Sequence, residues 1–309
     1  MQCDLITALD AELEQVGGSL AEAAARIHDR YREGGDSVYD DEHGALAYAA
    51  GRMPATAAAM GCALDALAGA ALPEPETVLD LGAGTGAALW AVQERYTPAK
   101  MVAIERDASA RSVGMRLATR AGFAVDWRPG DLATGVWQQR DLVVAAYSLG
   151  ECRGPARKHA LAAAWAAAGT ALVVVEPGTP AGAEVIDELR SHVIADGGFI
   201  AAPCTHHAAC PLRVDGWCHC AVRVPRARFQ RHVKGGSRGF EDEKYSYLVA
   251  LRAPLARPAT RIVATPRVHK GAVDLRLCSS EGLEDRAIAR RSGDAYKRAK
   301  KANWGDAWE

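Results

Sequence analysis

Asp80 precedes three glycines at alternate positions, Gly82, Gly84 and Gly86, in the run VLDLGAGTG over residues 78–86. Glycine has no Cβ, so the backbone there can turn tightly and a ligand can approach it closely. An Ala-rich run follows, and the first free N–H groups of such a helix would face an electronegative ligand. The glycine spacing differs from the dinucleotide fingerprint GxGxxG. Glu105 lies about 20 residues beyond the glycines, after the apolar run KMVAI. An acid at a strand end there suits a bidentate hydrogen bond to a ribose diol. Asp131 closes the next apolar stretch in the same way.

A second set of chemical residues is the thiols. Cys204, Cys210, Cys218 and Cys220 fall within 17 positions, and Cys278 ends a later apolar run. Packing alone does not explain such clustering. Clustered thiolates bind soft metals, either zinc or an iron–sulfur cluster. Zinc could also draw on His206, His207 or His219. The spacing C-x5-C-x7-C lacks the paired C-x2-C knuckles of common zinc fingers.

Positioning these groups requires alternating strands and helices. The pattern predicts strands over 77–81, 100–105, 124–128, 142–147 and 171–176. Helices are predicted over 87–96, 108–121, 155–168 and 181–196, a βαβ series with a parallel sheet covered on both faces. Residues 1–72 read as an N-terminal helical cap, with helices over 5–16, 20–31 and 44–51 and a new one opened by Pro54. Tyr48 and Arg52 are candidates to line the ligand pocket. Residues 73–198 read as the α/β core. Residues 199–255 read as a Cys-rich insertion, a basic helix beginning at Pro225 and the last sheet strands over 220–224 and 245–251. Residues 256–309 read as a basic extension. Tyr147 to Glu151 stand at the end of the fourth strand, where open α/β sheets bind ligands.

The chain of 309 residues carries a net charge of only −1, unevenly spread. Residues 223–301 hold 20 Lys and Arg against 8 Asp and Glu, a net of +12; the remainder is at −13. A basic third on an acidic protein points to nucleic acid, with Arg226, Arg228, Arg231 and Lys234 as the candidate contacts. No apolar run has membrane-spanning length and no signal peptide opens the chain, so a cytoplasmic monomer without membrane attachment is expected. In that compartment the 8 cysteines indicate metal or redox chemistry rather than disulfides.

D-x-G-x-G-x-G resembles motif I of class I S-adenosylmethionine (SAM) methyltransferases. Most of the chain is similar to one family, the methyltransferase-like proteins of the mitochondrial small ribosomal subunit and their bacterial relatives. The pieces that carry the likeness are residues 52–56 (RMPAT), the glycine turn, Pro203-Cys204, Cys210-Pro211, residues 217–219 (WCH), 234–236 (KGG), 241–244 (EDEK) and 303–306 (NWGD). The resemblance implies a Rossmann-like, mostly parallel sheet binding SAM through Asp80, Gly82, Gly84 and Gly86, with Glu105 on the ribose and Asp131 near the adenine. It implies a 4Fe–4S cluster on Cys204, Cys210, Cys218 and Cys278, with zinc as the alternative metal and Cys220 outside the set. It also implies action on small-subunit rRNA, by methylation or as a non-catalytic assembly factor. The Asn/Asp-Pro-Pro-Tyr sequence of amino-methylating enzymes is absent at the fourth strand end, and Cys152 has no adjoining proline to mark an RNA-cytosine nucleophile. No catalytic residue is assigned.

Overall fold

A computed structural model describes residues 4–15, 41–67, 72–214, 216–233 and 238–309. The helix expected over 20–31 and Lys234 lie outside the described residues. The central sheet begins with parallel strands β1 (Thr77–Leu81), β2 (Lys100–Ile104), β3 (Asp126–Arg128), β4 (Arg140–Ala146) and β5 (Ala168–Pro177). They stand in the order β3-β2-β1-β4-β5. The central strands are apolar on both faces because helices cover both. On one face lie α1 (Leu5–Leu13), α2 (Glu42–Asp65), α3 (Ala87–Arg95) and α4 (Ala108–Ala121). On the other lie α5 (Gly154–Ala167) and α6 (Pro180–Ala195).

Beyond β5 the order departs from expectation. The short strand β6 (Phe199–Ala202), which is not among the strands expected from the sequence, takes the sheet edge. Strand β8 (Phe240–Leu251) runs antiparallel between β5 and β6, and β7 (Cys220–Pro225) pairs only with the first half of β8. The acidic run 241–244 is therefore inside a strand rather than before it. The first half of β8 alternates exposed and half-buried residues, because only one face is covered; the second half is buried throughout. The basic helix begins three residues later than expected, α7 spanning Arg228–Val233.

Helix α2 also corrects the sequence reading, since it continues through Pro54 without a break. The lost backbone hydrogen bond is outweighed by burial of Met53, Met60 and Leu64 along the same helix. Asp41 caps its start by accepting from the Gly44 N–H at 2.8 Å. Glu12 of α1 is buried and paired with Arg116 and Arg120 of α4, which pins the N-terminal helix to the core.

Residues from 260 onward form a second, antiparallel sheet with its own core. Its strands are β9 (Thr260–Ile262), β10 (Arg267–His269), β11 (Ala272–Ser279), β12 (Gly282–Ala289) and β13 (Ala307–Trp308), with α8 (Asp294–Ala299) against them. Along β11 the period of two sends Val273, Leu275 and Leu277 into that core and leaves Cys278 on the opposite face.

Candidate functional site

At the end of β1 the three glycines adopt positive φ: Gly82 +68°, Gly84 +55° and Gly86 +92°. A Cβ on Gly82 would stand 2.4 Å from the Cβ of Ser148, so only glycine fits. Ser148 in turn donates to the Leu81 carbonyl at 2.7 Å, locking the ends of β1 and β4 together. The Ala83 N–H donates to the Ile104 carbonyl, fastening the turn to the end of β2. Glu105 follows directly and is half-buried. Its carboxylate accepts from the Gly84 N–H and the Asp107 N–H, both at 2.8 Å. Each oxygen keeps a lone pair for a second donor. Asp131 is exposed and accepts from the Ala133 N–H at 2.8 Å, which makes it the anchor of its own turn.

Asp80 is the unusual group. It is fully buried, and neither carboxylate oxygen has a hydrogen-bond partner. Burial, and secondarily the nearby Glu105, push its carboxyl up to about 8. An orphaned acid beneath a glycine cradle fits a cationic ligand group, and SAM carries both a sulfonium and an ammonium. Asp80, the cradle and Glu105 are thus compatible with SAM.

At the end of β4, Tyr147 has a φ of +57°, rare for a bulky residue. Its hydroxyl donates to Glu243 of β8 at 2.8 Å. Arg52 of α2 grips the same carboxylate with both terminal nitrogens, at 2.8 and 3.2 Å. Arg52 is therefore turned toward β8, a partnership invisible in sequence because 191 positions separate the two. Nearby, Glu176 of β5 is buried, accepts from the Gly150 N–H at 3.0 Å and is pushed up to about 8 by burial. Cys152 is half-buried against the apolar core under α5 and α6.

Cys204, Cys210 and Cys218 line one cavity of about 340 Å³ between α6 and β8. Ser246 holds this loop by donating to the Cys218 carbonyl at 2.8 Å. Cys278 reaches the same region from β11. Burial raises its thiol to about 11, and Cys210 and Cys204 add to the rise. His206 Nε2 stands 3.7 Å from its sulfur. Cys220 is instead buried in the main core beside Tyr245 and Cys62. Among the described residues, no group of three or more His, Cys, Asp or Glu side chains is arranged to hold a metal ion. His219 stacks on Trp217 at 5.3 Å and meets Trp304 edge-on at 4.5 Å, so an aromatic ladder joins the Cys loop to the C-terminal segment.

Of the candidate RNA contacts, Arg228 and Arg231 are exposed on α7, whereas Arg226 is half-buried and ion-paired with Glu241 at 3.1 Å. Arg190 was not singled out by the sequence, yet it lines the thiol cavity from α6. A lone arginine in an amphipathic helix carries no local signal of such a position.

Parallel strands in the order β3-β2-β1-β4-β5, an antiparallel strand beside the fifth and a glycine turn after the first define a class I SAM-methyltransferase fold. Within that class the chain belongs to the family described as mitochondrial small ribosomal subunit Rsm22, whose family model matches residues 42–309. It is 27% identical over 256 residues to the human protein described as "Ribosome assembly protein METTL17, mitochondrial". That match covers 75% of this chain and 55% of the relative, so the chain spans about half the length of the curated protein it matches. Among solved structures, magnesium protoporphyrin IX methyltransferase of Synechocystis PCC 6803 with bound SAM is 14% identical, with a TM-score of 0.45 and coverage of 77% of this chain and 99% of that one. Protein 1320 of Thermoplasma acidophilum is 12% identical, with a TM-score of 0.41 and coverage of 77% and 100%.

Proposed function

We propose that this chain is a SAM-binding, methyltransferase-like assembly factor of the small ribosomal subunit, acting as a cytoplasmic monomer. The observation that carries SAM binding is Asp80, a buried acid with no partner beneath a glycine cradle. The ribosomal role is supported by membership of the Rsm22 family and by the described role of the human relative. The basic residues of 223–301 supply the contacts to rRNA, with the exposed Arg228 and Arg231 among them. No described helix is long and apolar enough to cross a membrane.

The chain also carries a 4Fe–4S cluster on Cys204, Cys210, Cys218 and Cys278. Three of these thiols line a shared cavity and the fourth lies within electrostatic reach of two of them. A zinc ion would draw four sulfurs to about 2.3 Å from one point, whereas a multi-iron cluster fills a wider gap. Zinc on the same four thiols is the alternative.

Methyl transfer and pure assembly are the two modes open to this site. The second is favoured by the end of β4, where Tyr147, Glu243 and Arg52 are bound to one another. Calorimetry on the iron-loaded protein tests SAM binding, with Glu105→Ala expected to weaken it; no heat of binding in the intact protein overturns the SAM reading. Mass-spectrometric mapping of small-subunit rRNA from a deletion strain separates the modes, because a missing methyl group establishes transfer.

A further inference from the structure

The first half of β8 and its partner β7 form a ribbon with one face open to solvent. Phe240, Asp242 and Lys244 of β8 and Arg223 of β7 are exposed on it, while Glu241, Glu243 and Val222 are half-buried and Val224 is buried. Phe240 is 39% exposed. The Arg223 guanidinium lies over its ring at 4.1 Å. Both oxygens of Asp242 hold that guanidinium, at 2.7 and 3.0 Å. A ring and a guanidinium plane are thus stacked and fixed in the open.

The aromatic ladder stands at the Lys244 end of the ribbon. Trp217 is 38% exposed although His219 stacks against it. Its indole N–H donates to the Gly178 carbonyl at 2.9 Å, and the Gly178 N–H donates to the Lys244 carbonyl at 2.9 Å, so the indole is fastened beside the strand. Lys244 itself is exposed and pairs with no carboxylate among the described residues. Phe240 and Lys244 lie about 13 Å apart along β8.

Rings left in water forfeit the burial that stabilises other large apolar side chains. These two are also held in place already, so a flat ligand meets them with little further ordering to lose. Every nucleobase offers a π face that stacks on an aromatic ring or a guanidinium plane, and a lysine between two such stations suits a phosphate. Exposed Arg228 and Arg231, on the helix that follows β7, extend the positive charge. In a duplex the bases already stack on one another, so the face fits unpaired nucleotides.

We propose that the open face of the β7–β8 ribbon binds single-stranded RNA, one base stacking on the Arg223–Phe240 pair and another on Trp217, with Lys244 on a phosphate between them. This inference rests on the rRNA-binding reading above and names the form of RNA that the surface takes.

The test uses the full chain and a fluorescein-labelled, unstructured RNA of about a dozen nucleotides, with a duplex of the same length beside it. Affinity is read by anisotropy across a salt series. Trp217→Ala and Phe240→Ala change exposed rings and should fold, as circular dichroism will show. Each should bind the single strand roughly 5–100-fold more weakly, with the salt slope unchanged because stacking releases no counter-ion. Lys244→Gln should flatten the slope by about 0.7. The duplex should bind Trp217→Ala as it binds wild type. Photo-crosslinking of wild type to a thiouridine-bearing strand, mapped by mass spectrometry, needs no substitution and should mark Trp217 or Phe240. Folded variants with wild-type affinity for the single strand, or crosslinks confined to residues outside the ribbon and the ladder, would overturn the platform and leave RNA binding standing. Wild-type protein that binds neither RNA overturns the rRNA reading, and the platform with it.

Discussion

Asp80→Asn isolates the charge beneath the glycine turn. The acid titrates near 3.8 when unperturbed and near about 8 when buried here. Folding therefore raises its affinity for protons. The contribution of Asp80 to stability is greatest below pH 3.8 and declines as pH rises toward about 8, because the unfolded chain releases a proton that the folded chain retains. At about 1.4 kcal/mol per pH unit, the loss accumulated by pH 7 is on the order of 4 kcal/mol. Asn keeps the shape and removes the titration, so in urea unfolding the stability of Asp80→Asn relative to wild type should climb between pH 5 and pH 8. SAM brings positive charge to the same carboxyl and should draw its proton off. Wild-type affinity should then tighten with pH, up to roughly tenfold per unit below pH 8, with protons released on binding. Calorimetry in buffers of different ionisation enthalpy counts those protons. Asp80→Asn should bind SAM more weakly, without proton release and with a flat pH dependence. Equal pH dependence in the two proteins would refute the assignment of Asp80 to the cation.

Three other outcomes are expected. Glu12 titrates below its usual range: burial opposes this, but hydrogen bonds from Arg120 and Arg116 prevail. Its contribution is thus present above pH 4.5 and lost on acidification, and Glu12→Gln should cost roughly 1–3 kcal/mol in denaturant unfolding at pH 7, with the gap narrowing in acid. Arg228→Ala with Arg231→Ala should flatten the salt dependence of rRNA binding by up to roughly 0.7–0.9 per lost phosphate contact, measured by filter binding; adding Arg226→Ala should change little, since Glu241 already holds it. Cys278→Ser should leave the protein colourless and weaken rRNA binding, while Cys220→Ser, a change in the apolar core, should keep its iron.

Much of the core was legible because its signals are local. The strand over 77–81 and the helix over 108–121 match the observed β1 and α4 to the residue. An apolar run bounded by glycine, or a capped amphipathic stretch, is a property of consecutive residues. The glycine turn was legible for the same reason, since positive φ leaves a mark in residue type. Pro54 misled because its local preference was outweighed by the burial of the helix on both sides of it. Residues 199–202 were passed over because four residues between a Gly-Gly turn and a proline are too short to show a period.

What the chain alone determined, then, is the order of strands and helices, the glycine cradle and the presence of clustered thiols. Those follow from backbone preferences and from residue types close together in sequence. Only the tertiary structure decided the partners. It placed Glu243 under Arg52 and Tyr147, set Cys278 on the face of β11 opposite its own core, and brought Arg190 into the cavity that Cys204 lines. Such contacts join positions tens to hundreds of residues apart. They arise from the way packed layers bury apolar faces, and that placement is set by the whole fold rather than by any stretch of it.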